Sequence, residues 1–395
     1  MTRSFLVSSA RTPIGRLGGA LAGFSAMQLG AIALRAALER AGVGPEHVDH
    51  VVMGHVLQAG QGQNPARQAA VGAGIPMTVP ALTVNKVCLS GLYAIHLADQ
   101  MIRTGEADVV VAGGMESMTN APYLLPGARA GFRLGDVTAV DSLIADGLWC
   151  SFDGVHMGSG TEAYSHLAGI SRQAQDELAT ASHQRAAIAV KDGLLAGEIV
   201  AVAVPQRKGE PVMVDTDEGV RPSTSTEALA RLKPAFSPDG TITAGNASQL
   251  SDGAAAVVMV SEAKLVELGL TPRAELVGYG MVAGPDPSLL TQPSRAITQA
   301  LSRAGLSLAD VDLFEINEAF AAVGLASMAE LGIGDEVVNV NGGSIALGHP
   351  IGMSGARLVI TLVEELRRRG GGVGAAALCG GGGQGDAAVL KVGPS

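Results

Sequence analysis

The stretch "CLSGLYAIHLADQMIRTGEADVVVAGG", residues 88–114, recurs in altered form as "GMSGARLVITLVEELRRRGGGVGAAALCGG", residues 352–381. Both copies run in the same order: a Ser-Gly pair, a helical pattern, a Gly-containing stop, an apolar strand and a final Gly-Gly. A second match lies upstream of each copy, between "RAGVGPEHVDHVVMG" from Arg40 and "RAGLSLADVDLFEIN" from Arg303. This internal repeat predicts an α/β protein built from two related halves.

The segment of about residues 118–249 interrupts the repeat. It is rich in Gly, Asp, Met and Pro, and it lacks the alternation of strand-like runs with helical patterns such as "SAMQLGAIALRAALERAG", which ends at Gly42. We therefore predict an inserted loop domain that covers a site. The N-terminal half, with this insertion, is predicted to span residues 1–270, and the C-terminal half to span residues 271–395.

Composition narrows the class of protein. Of the 395 residues 47% are hydrophobic, so the chain can bury a large core. A net charge of −10 without a Lys/Arg-rich block argues against nucleic acid as a partner. The sequence has no apolar run of membrane-spanning length and its start lacks the apolar region of a signal peptide, so we predict a cytoplasmic protein with no membrane contact. Three widely spaced cysteines predict reduced thiols.

One of these cysteines, Cys88, lies where a helix is predicted to begin. In "VNKVCLSGLYAIHLAD", residues 84–99, the helical pattern places Leu92, Ile95 and Ile102 on one face, with Cys88 in or just before the first turn. Unpaired N–H groups and the helix dipole at that position favour a thiolate. Taken alone, the position fits a small buried apolar residue equally well.

Two segments near the C-terminus add candidates. In "NVNGGSIALGHPIGMSGAR", residues 339–357, His349 lies in a Gly-rich stretch of irregular backbone before a helix. In "ALCGGGGQG", residues 377–385, an apolar strand ends at Cys379 and four glycines follow, which allow a ligand to approach free N–H groups. Each segment alone also fits a structural loop or turn.

Together, "NKVCLSG", "NEAFA" (317–321), "NGGSIALGHPIGMSGAR" and "CGGGGQG" resemble the signature segments of the thiolase family. The resemblance continues through "RTPIGRLGGAL", "GGMESMTNAPY" and "KPAFSPDGTITAGNASQLSDGAAA", and so covers essentially the whole chain. It implies two βαβαβαββ halves packed in α-β-α-β-α layers with a loop domain. It also implies reversible acyl transfer between coenzyme A thioesters, which are substrates, with no cofactor and no metal.

The resemblance further implies roles for individual residues. Joining two acyl thioesters needs a nucleophile for the first acyl group and a base for the α-proton of the second. Cys88 would be the nucleophile of a ping-pong reaction, His349 would take its proton, and Cys379 would be the base. Asn317 would hold a water that, with His349, faces the enolate oxygen, while the N–H groups of Cys88 and Gly381 would form the other oxyanion hole. Cys150 has no counterpart and is interpreted as structural.

Substrate contacts are also implied by resemblance. In "VHMGSGTE", His156 and Met157 stand where short-chain biosynthetic thiolases carry His-Met-Gly; on composition alone, His156 also fits a surface loop. Ser248 resembles a pantetheine contact, and Arg221 resembles a residue over the adenine and phosphates. The nearby basic residues fit either a patch that attracts anionic coenzyme A or a solvated face. These residues are Arg207, Lys208, Arg231 and Lys233; the pantetheine channel is expected to be lined by Leu148, Phe236 and Ala319.

The expected activity is that of an acetyl-CoA C-acetyltransferase, with a homo-oligomer, dimer or tetramer, implied by the family. A degradative 3-ketoacyl-CoA thiolase for longer chains is the alternative, because "SLLTQPSRA" (288–296) and Gly160-Thr161 depart from the family pattern near the expected acyl pocket. A non-catalytic acyl-CoA carrier is disfavoured by the complete set of site residues. Decarboxylating ketoacyl synthases use a different catalytic set, against which Cys379 and its glycine run argue.

Overall fold

The two copies of the repeat fold into matching units in the computed structural model, which describes residues 2–393. The strands of this part of the chain are β1 (Ser4–Arg11), β2 (Gly15–Arg16), β3 (His50–Gly54), β4 (Ala81–Val84), β5 (Val109–Ser117), β6 (Tyr123–Leu124), β7 (Val140–Asp141), β8 (Trp149–Cys150), β9 (Val155–His156), β10 (Val202–Val204), β11 (Val212–Val214), β12 (Ser251–Ser261), β13 (Ala274–Ala283), β14 (Leu313–Ile316), β15 (Gly372–Gly380) and β16 (Gln384–Val392).

The α-helices alternate with the long strands. They are α1 (Ala26–Ala41), α2 (Pro65–Gly72), α3 (Ser90–Thr104), α4 (Met157–Leu167), α5 (Arg172–Lys191), α6 (Thr226–Ala230), α7 (Glu262–Glu267), α8 (Gln292–Ala304), α9 (Ala321–Leu331), α10 (Ser344–Leu347) and α11 (Ser354–Arg368). No helix among residues 2–393 is long and apolar enough to cross a membrane.

The long strands form two half-sheets of related topology. The N-terminal half-sheet has the order β4-β3-β5-β12-β1, and the C-terminal half-sheet has the order β13-β16-β15-β14. In each, parallel pairing at the outer edge gives way to antiparallel pairing toward the middle. The two half-sheets meet only where Phe5 and Leu6 of β1 pair with Glu275 and Ala274 of β13.

The upstream match of the repeat is visible as two helix ends. Helix α1 ends at Gly42 and α8 ends at Gly305, both with left-handed backbone (φ of 65° and 68°), a conformation that glycine adopts without a Cβ penalty. A short 3₁₀ turn follows each helix, Pro45–His47 in one half and Leu308–Asp310 in the other. The Arg-Ala-Gly and Val-Asp pairs of the sequence therefore mark the same structural corner twice.

Helices α3 and α11 lie between the two half-sheets. Both pack against strands of the N-terminal and C-terminal halves, whereas α1 packs on the outer face of the first and α8 on the outer face of the second. The order of layers is thus α-β-α-β-α. Small residues let the two central helices cross closely: a Cβ on Gly91 would lie 2.9 Å from the Gly352 oxygen, and one on Gly355 would lie 2.4 Å from the Leu92 nitrogen. The two Ser-Gly pairs of the repeat lie at this crossing. The crossing brings together the segments that precede both helices.

Residues 118–250 connect β5 to β12 and leave the layered body. They form three small two-stranded sheets, β6 with β7, β8 with β9 and β10 with β11, together with α4, α5 and α6. A π-helical turn, Leu143–Leu148, precedes β8. Such turns occur often at functional sites.

Candidate active site

Cys88 lies in a constrained loop between β4 and α3. The helix begins at Ser90, so Cys88 is two residues before its first turn. Val87 has a φ of 51°, which is strained for a β-branched residue and typical of segments held in place for function. Ser90 holds this conformation, because its hydroxyl donates to the Val87 carbonyl (2.5 Å) and accepts from the Lys86 N–H (2.8 Å).

Burial controls the ionisation of the Cys88 thiol. It raises the pKa to about 12, although the N–H groups of Cys88 and Gly381 act in the opposite direction; the charge of Glu116 raises the pKa further. The N–H groups act on the pKa in the direction predicted from the helix start, but burial outweighs them. Cys88 rests as a thiol, and a base must take its proton as it attacks.

An ion pair joins the Cys88 loop to the hairpin that carries Cys379. Lys86 Nζ lies 2.7 and 2.8 Å from the two carboxylate oxygens of Asp386, and the Tyr279 hydroxyl donates to one of them at 2.9 Å. Asp386 is on β16, directly opposite Leu378 in the register of β15. The loop that carries Cys88 and the hairpin that carries Cys379 are therefore joined by one hydrogen-bonded group.

His349 has an assigned tautomer. The Ser354 hydroxyl lies 3.0 Å from the Pro350 carbonyl and 2.6 Å from His349 Nδ1; we assign its hydrogen to the carbonyl, so that it accepts the Nδ1–H. His349 Nε2 then carries the lone pair. Burial, and secondly the charge of Arg357, lower the pKa of His349 to about 3, so the ring is neutral near pH 7 and able to accept a proton.

Asn317 faces this lone pair. Its Nδ2 lies 3.5 Å from His349 Nε2, and its Oδ1 accepts a hydrogen bond of 2.6 Å from Ser344. Asn317 follows β14, and its own N–H donates to the Ala377 carbonyl on β15, two residues before Cys379. The parallel pairing of these strands thus brings Asn317 and Cys379 to the same edge.

Cys379 is almost completely buried, at the end of β15. It packs in an apolar cluster with Ala319 and Phe320. Burial, and secondly the charge of Cys88, raise its pKa well above the ordinary range. A charge on one sulfur therefore opposes ionisation of the other.

A cavity of about 370 Å³ lies beside these groups, with His349 and Ser248 in its wall. Cys88 packs against the apolar cluster that includes Ile351, another residue of the wall. Five residues that were predicted to contact substrate line this cavity: Leu148, His156, Phe236, Ser248 and Ala319.

His156 is oriented by its position at the start of α4. Its Nδ1 accepts the Gly158 N–H at 3.1 Å, so the Nε2–H is the free polar group, and its ring stacks on Phe236 with centroids 5.0 Å apart. Burial lowers its pKa, which keeps the ring neutral near pH 7. His156 is therefore held in a defined orientation in the cavity wall.

Two predicted contacts lie elsewhere. Met157 lines a neighbouring cavity of about 420 Å³ together with Gly381, and it also packs against the Cys379 cluster. Arg221 is exposed and is absent from the described lining of the 370 Å³ cavity, while its N–H donates to His183. The other predicted basic residues are also exposed: Arg207, Lys208, Arg231 and Lys233.

The structure adds a buried carboxylate that the sequence reasoning missed. Glu116, at 0% exposure, accepts the N–H groups of Val56, Leu57 and Gly352 at 2.9 to 3.2 Å and lies 3.2 Å from His55 Nε2. It thereby joins the loop after β3 to the turn that follows His349. Ser344, Ser354 and Arg357 were missed as well, because their partners are set by the tertiary fold.

Comparison with known proteins gives consistent matches. Residues 4–263 match the family "Thiolase, N-terminal domain", and residues 270–392 match "Thiolase, C-terminal domain". A probable acetyl-CoA acetyltransferase of Mycobacterium tuberculosis is 58% identical over 393 residues, covering 100% of both chains. An acetyl-CoA acetyltransferase of Cupriavidus necator is 53% identical, covering 93% of this chain and 94% of that one.

A solved structure agrees with these matches. The crystal structure of the Bacillus anthracis acetyl-CoA acetyltransferase superimposes with a TM-score of 0.96 at 42% identity, covering 99% of each chain. This match confirms the fold class expected from the repeat and the motifs.

Proposed function

This chain belongs to the thiolase family of acyltransferases, and we propose that it catalyses the reversible condensation of two acetyl-CoA molecules to acetoacetyl-CoA and free coenzyme A. The observation that carries the proposal is the 370 Å³ cavity with His349 in its wall, since Cys88 and Cys379 pack in the two apolar clusters that supply other residues of that wall. Coenzyme A thioesters are then substrates that enter and leave, not resident cofactors.

The first half-reaction uses the Cys88 thiol. As its sulfur attacks the thioester carbonyl, His349 Nε2 takes the thiol proton and returns it to the departing coenzyme A sulfur. The carbonyl oxygen that becomes negative is stabilised by the N–H groups of Cys88 and Gly381, and donors of this kind contribute on the order of 3 kcal/mol each. Because burial raises the pKa of the thiol and lowers that of His349, a separate thiolate–imidazolium pair is disfavoured, and transfer of the proton together with attack avoids it.

The second half-reaction uses Cys379. Burial keeps Cys379 protonated at rest, so its thiol first gives up its proton to solvent. The Cys379 thiolate takes an α-proton from the second acetyl-CoA. The resulting carbanion attacks acetyl-Cys88, the proton passes from Cys379 to the released Cys88 sulfur, and Cys379 then regains a proton from solvent. The amide N–H of Asn317 would stabilise the enolate oxygen.

The decisive experiment is incubation with acetyl-CoA alone. We expect acetoacetyl-CoA, ping-pong kinetics and a covalent acetyl group on Cys88. Cys88→Ser should take no label and should lose activity in both directions, because a serine hydroxyl is a far weaker nucleophile than a cysteine thiol. A stoichiometric acetyl label on the Cys88→Ser protein would show that Cys88 is not the nucleophile.

Assembly and location complete the proposal. Large apolar side chains are exposed between residues 123 and 137, which suits contact between copies of the chain, and a dimer or tetramer is proposed. Light scattering should show a mass above that of the monomer, and Leu134→Glu should lower it. The exposed apolar residues are Tyr123, Leu125, Phe132, Leu134 and Val137.

A cytoplasmic location is proposed because Cys88 and Cys379 must stay reduced to function.

A further inference from the structure

Arg357 is a buried cation that the mechanism above does not use. It lies on α11 at 1% exposure, where an unpaired charge would be strongly destabilising. Its Nη1 donates to Glu315 at 2.7 Å and its Nη2 donates to the Ser344 hydroxyl at 2.9 Å. The Nε–H has no partner among the described residues, so this arrangement is held against a desolvation penalty.

The bond to Ser344 determines the direction of the next one. A guanidinium group only donates, so Ser344 Oγ accepts from Arg357 and its single hydrogen is left for Asn317 Oδ1, 2.6 Å away. The Asn317 amide is then oriented with Nδ2 toward His349 Nε2. A reversed amide would place Oδ1 against the lone pair of Nε2, which is repulsive.

The Arg357–Glu315 ion pair also acts on Asn317, through the backbone that connects Glu315 to it. Glu315 is two residues before Asn317 on β14, and Arg357 is one turn after Ser354, the partner of His349 Nδ1. One side chain therefore joins the strand that presents Asn317 to the helix that orients His349. The donors run in one direction, from a permanent cation through Ser344 to the Asn317 amide, and aligned hydrogen bonds of this kind polarise one another.

We propose that Arg357, acting through Ser344 and Glu315, is a positioning residue that holds the Asn317 amide for stabilisation of the enolate. This inference rests on the proposed function. It concerns the second half-reaction, because the oxyanion donors assigned to formation of the acetyl-enzyme, the N–H groups of Cys88 and Gly381, do not bond to Arg357 or Ser344. The charge of Arg357 also reaches the site, since it lowers the pKa of His349.

The test separates the two half-reactions in the full-length enzyme. Acetyl-enzyme formation is followed by mass spectrometry with acetyl-CoA, and enolate formation by exchange of the acetyl methyl protons with deuterated solvent. Arg357→Lys keeps a charge but loses the planar fork. It should lower exchange and condensation at least about tenfold, the scale of losing one oriented oxyanion donor, while changing the acetylation rate less than about threefold.

A second variant and a matched control make the test decisive. Ser344→Ala leaves the Arg357–Glu315 pair in place and removes the two hydrogen bonds of the hydroxyl that connects Arg357 to Asn317, so the same selective loss is expected, at least about threefold in exchange. Arg11→Lys is the control, because Arg11 is equally buried and paired with Glu198 and Asp217; it should not change the ratio of the two rates.

The outcomes are distinct. The inference is overturned if the folded variants exchange protons at the wild-type rate, or if acetylation and exchange fall in the same proportion, since that would indicate general loss of structure. Failure of the wild-type enzyme to form an acetyl-enzyme or acetoacetyl-CoA would instead overturn the proposed function itself.

Discussion

Gly355 lies against the backbone nitrogen of Leu92, at a point where a Cβ would approach to 2.4 Å. Real Cβ atoms do not come so close to backbone, so α3 and α11 can cross here only without a side chain on Gly355. Cys88 precedes one of these helices by two residues and His349 precedes the other by five. The distance between the proposed nucleophile and base therefore depends on this crossing.

Gly355→Ala should separate the two helices. We expect a loss of about 1–3 kcal/mol in the free energy of unfolding, the usual effect of overpacking, together with a lower rate of acetyl-enzyme formation. Chemical denaturation and mass spectrometry measure the two effects. Gly197→Ala is the control, because its added Cβ would meet nothing within 4 Å. Wild-type stability and rate in Gly355→Ala would show that the crossing tolerates a side chain.

Cys379→Ser should separate the roles of the two cysteines. Acetylation does not need Cys379, so the variant should still take an acetyl group from acetyl-CoA. It should lose condensation and methyl-proton exchange by about 10² or more, since a serine hydroxyl does not ionise where a thiol can. Cys150→Ser serves as the control and should keep both activities. Condensation at near the wild-type rate in Cys379→Ser would require His349 to perform both proton transfers.

His156 should limit the length of the acyl chain. Because its ring is stacked on Phe236 in the wall of the cavity, a C6 3-ketoacyl-CoA should be cleaved at least about tenfold less efficiently than acetoacetyl-CoA, or about 1.4 kcal/mol of discrimination. His156→Ala should reduce this ratio, whereas His166→Ala, an exposed position on the same helix, should not. Equal kcat/KM values for the two substrates in the wild-type enzyme would favour the degradative alternative.

His96 should make stability depend on pH. It is buried on α3 and stacked on Tyr279 at 3.9 Å, and burial lowers its pKa to about 4. Between pH 4 and 6.5 the unfolded chain binds a proton at this residue that the folded protein does not, so its contribution to stability falls as the pH falls.

His96→Phe keeps an aromatic ring for the stack and removes that proton. From pH 7 to pH 5 the variant should gain about 1–2 kcal/mol relative to the wild type in the free energy of unfolding, measured by denaturant titration at both pH values. A difference between the two proteins that does not change with pH would mean that the folded protein protonates His96 as readily as the unfolded chain does.

The fold could be predicted because the same pattern of helices and strands occurs twice in the sequence. The Arg-Ala-Gly corners end α1 and α8, and the Ser-Gly pairs begin α3 and α11, so each local pattern had an independent copy that supported its interpretation. Residues that share a cavity, such as Ser248 and Phe236, came from resemblance to the thiolases and not from periodicity.

Electrostatics could not be predicted in the same way. The position of Cys88 before a helix suggested a thiolate, but desolvation by the surrounding layers outweighs the nearby N–H groups and raises its pKa. Arg357 and Ser344 have no mark in the sequence that connects them with Asn317, since they are 40 and 27 residues away and meet it only through the folded chain. Arg221 is exposed, and its predicted contact with the adenine and phosphates stays a prediction.

The excursion between β5 and β12 carries Leu148, His156, Phe236 and Ser248, whereas Cys88, Asn317, His349 and Cys379 all belong to the layered body. Substitutions at these four wall positions therefore fall on backbone that is separate from the backbone that aligns the reacting groups. An enzyme with this division of labour can acquire a new acyl preference by changes in one segment while its bond-forming chemistry stays intact, and selection can act on the two properties independently.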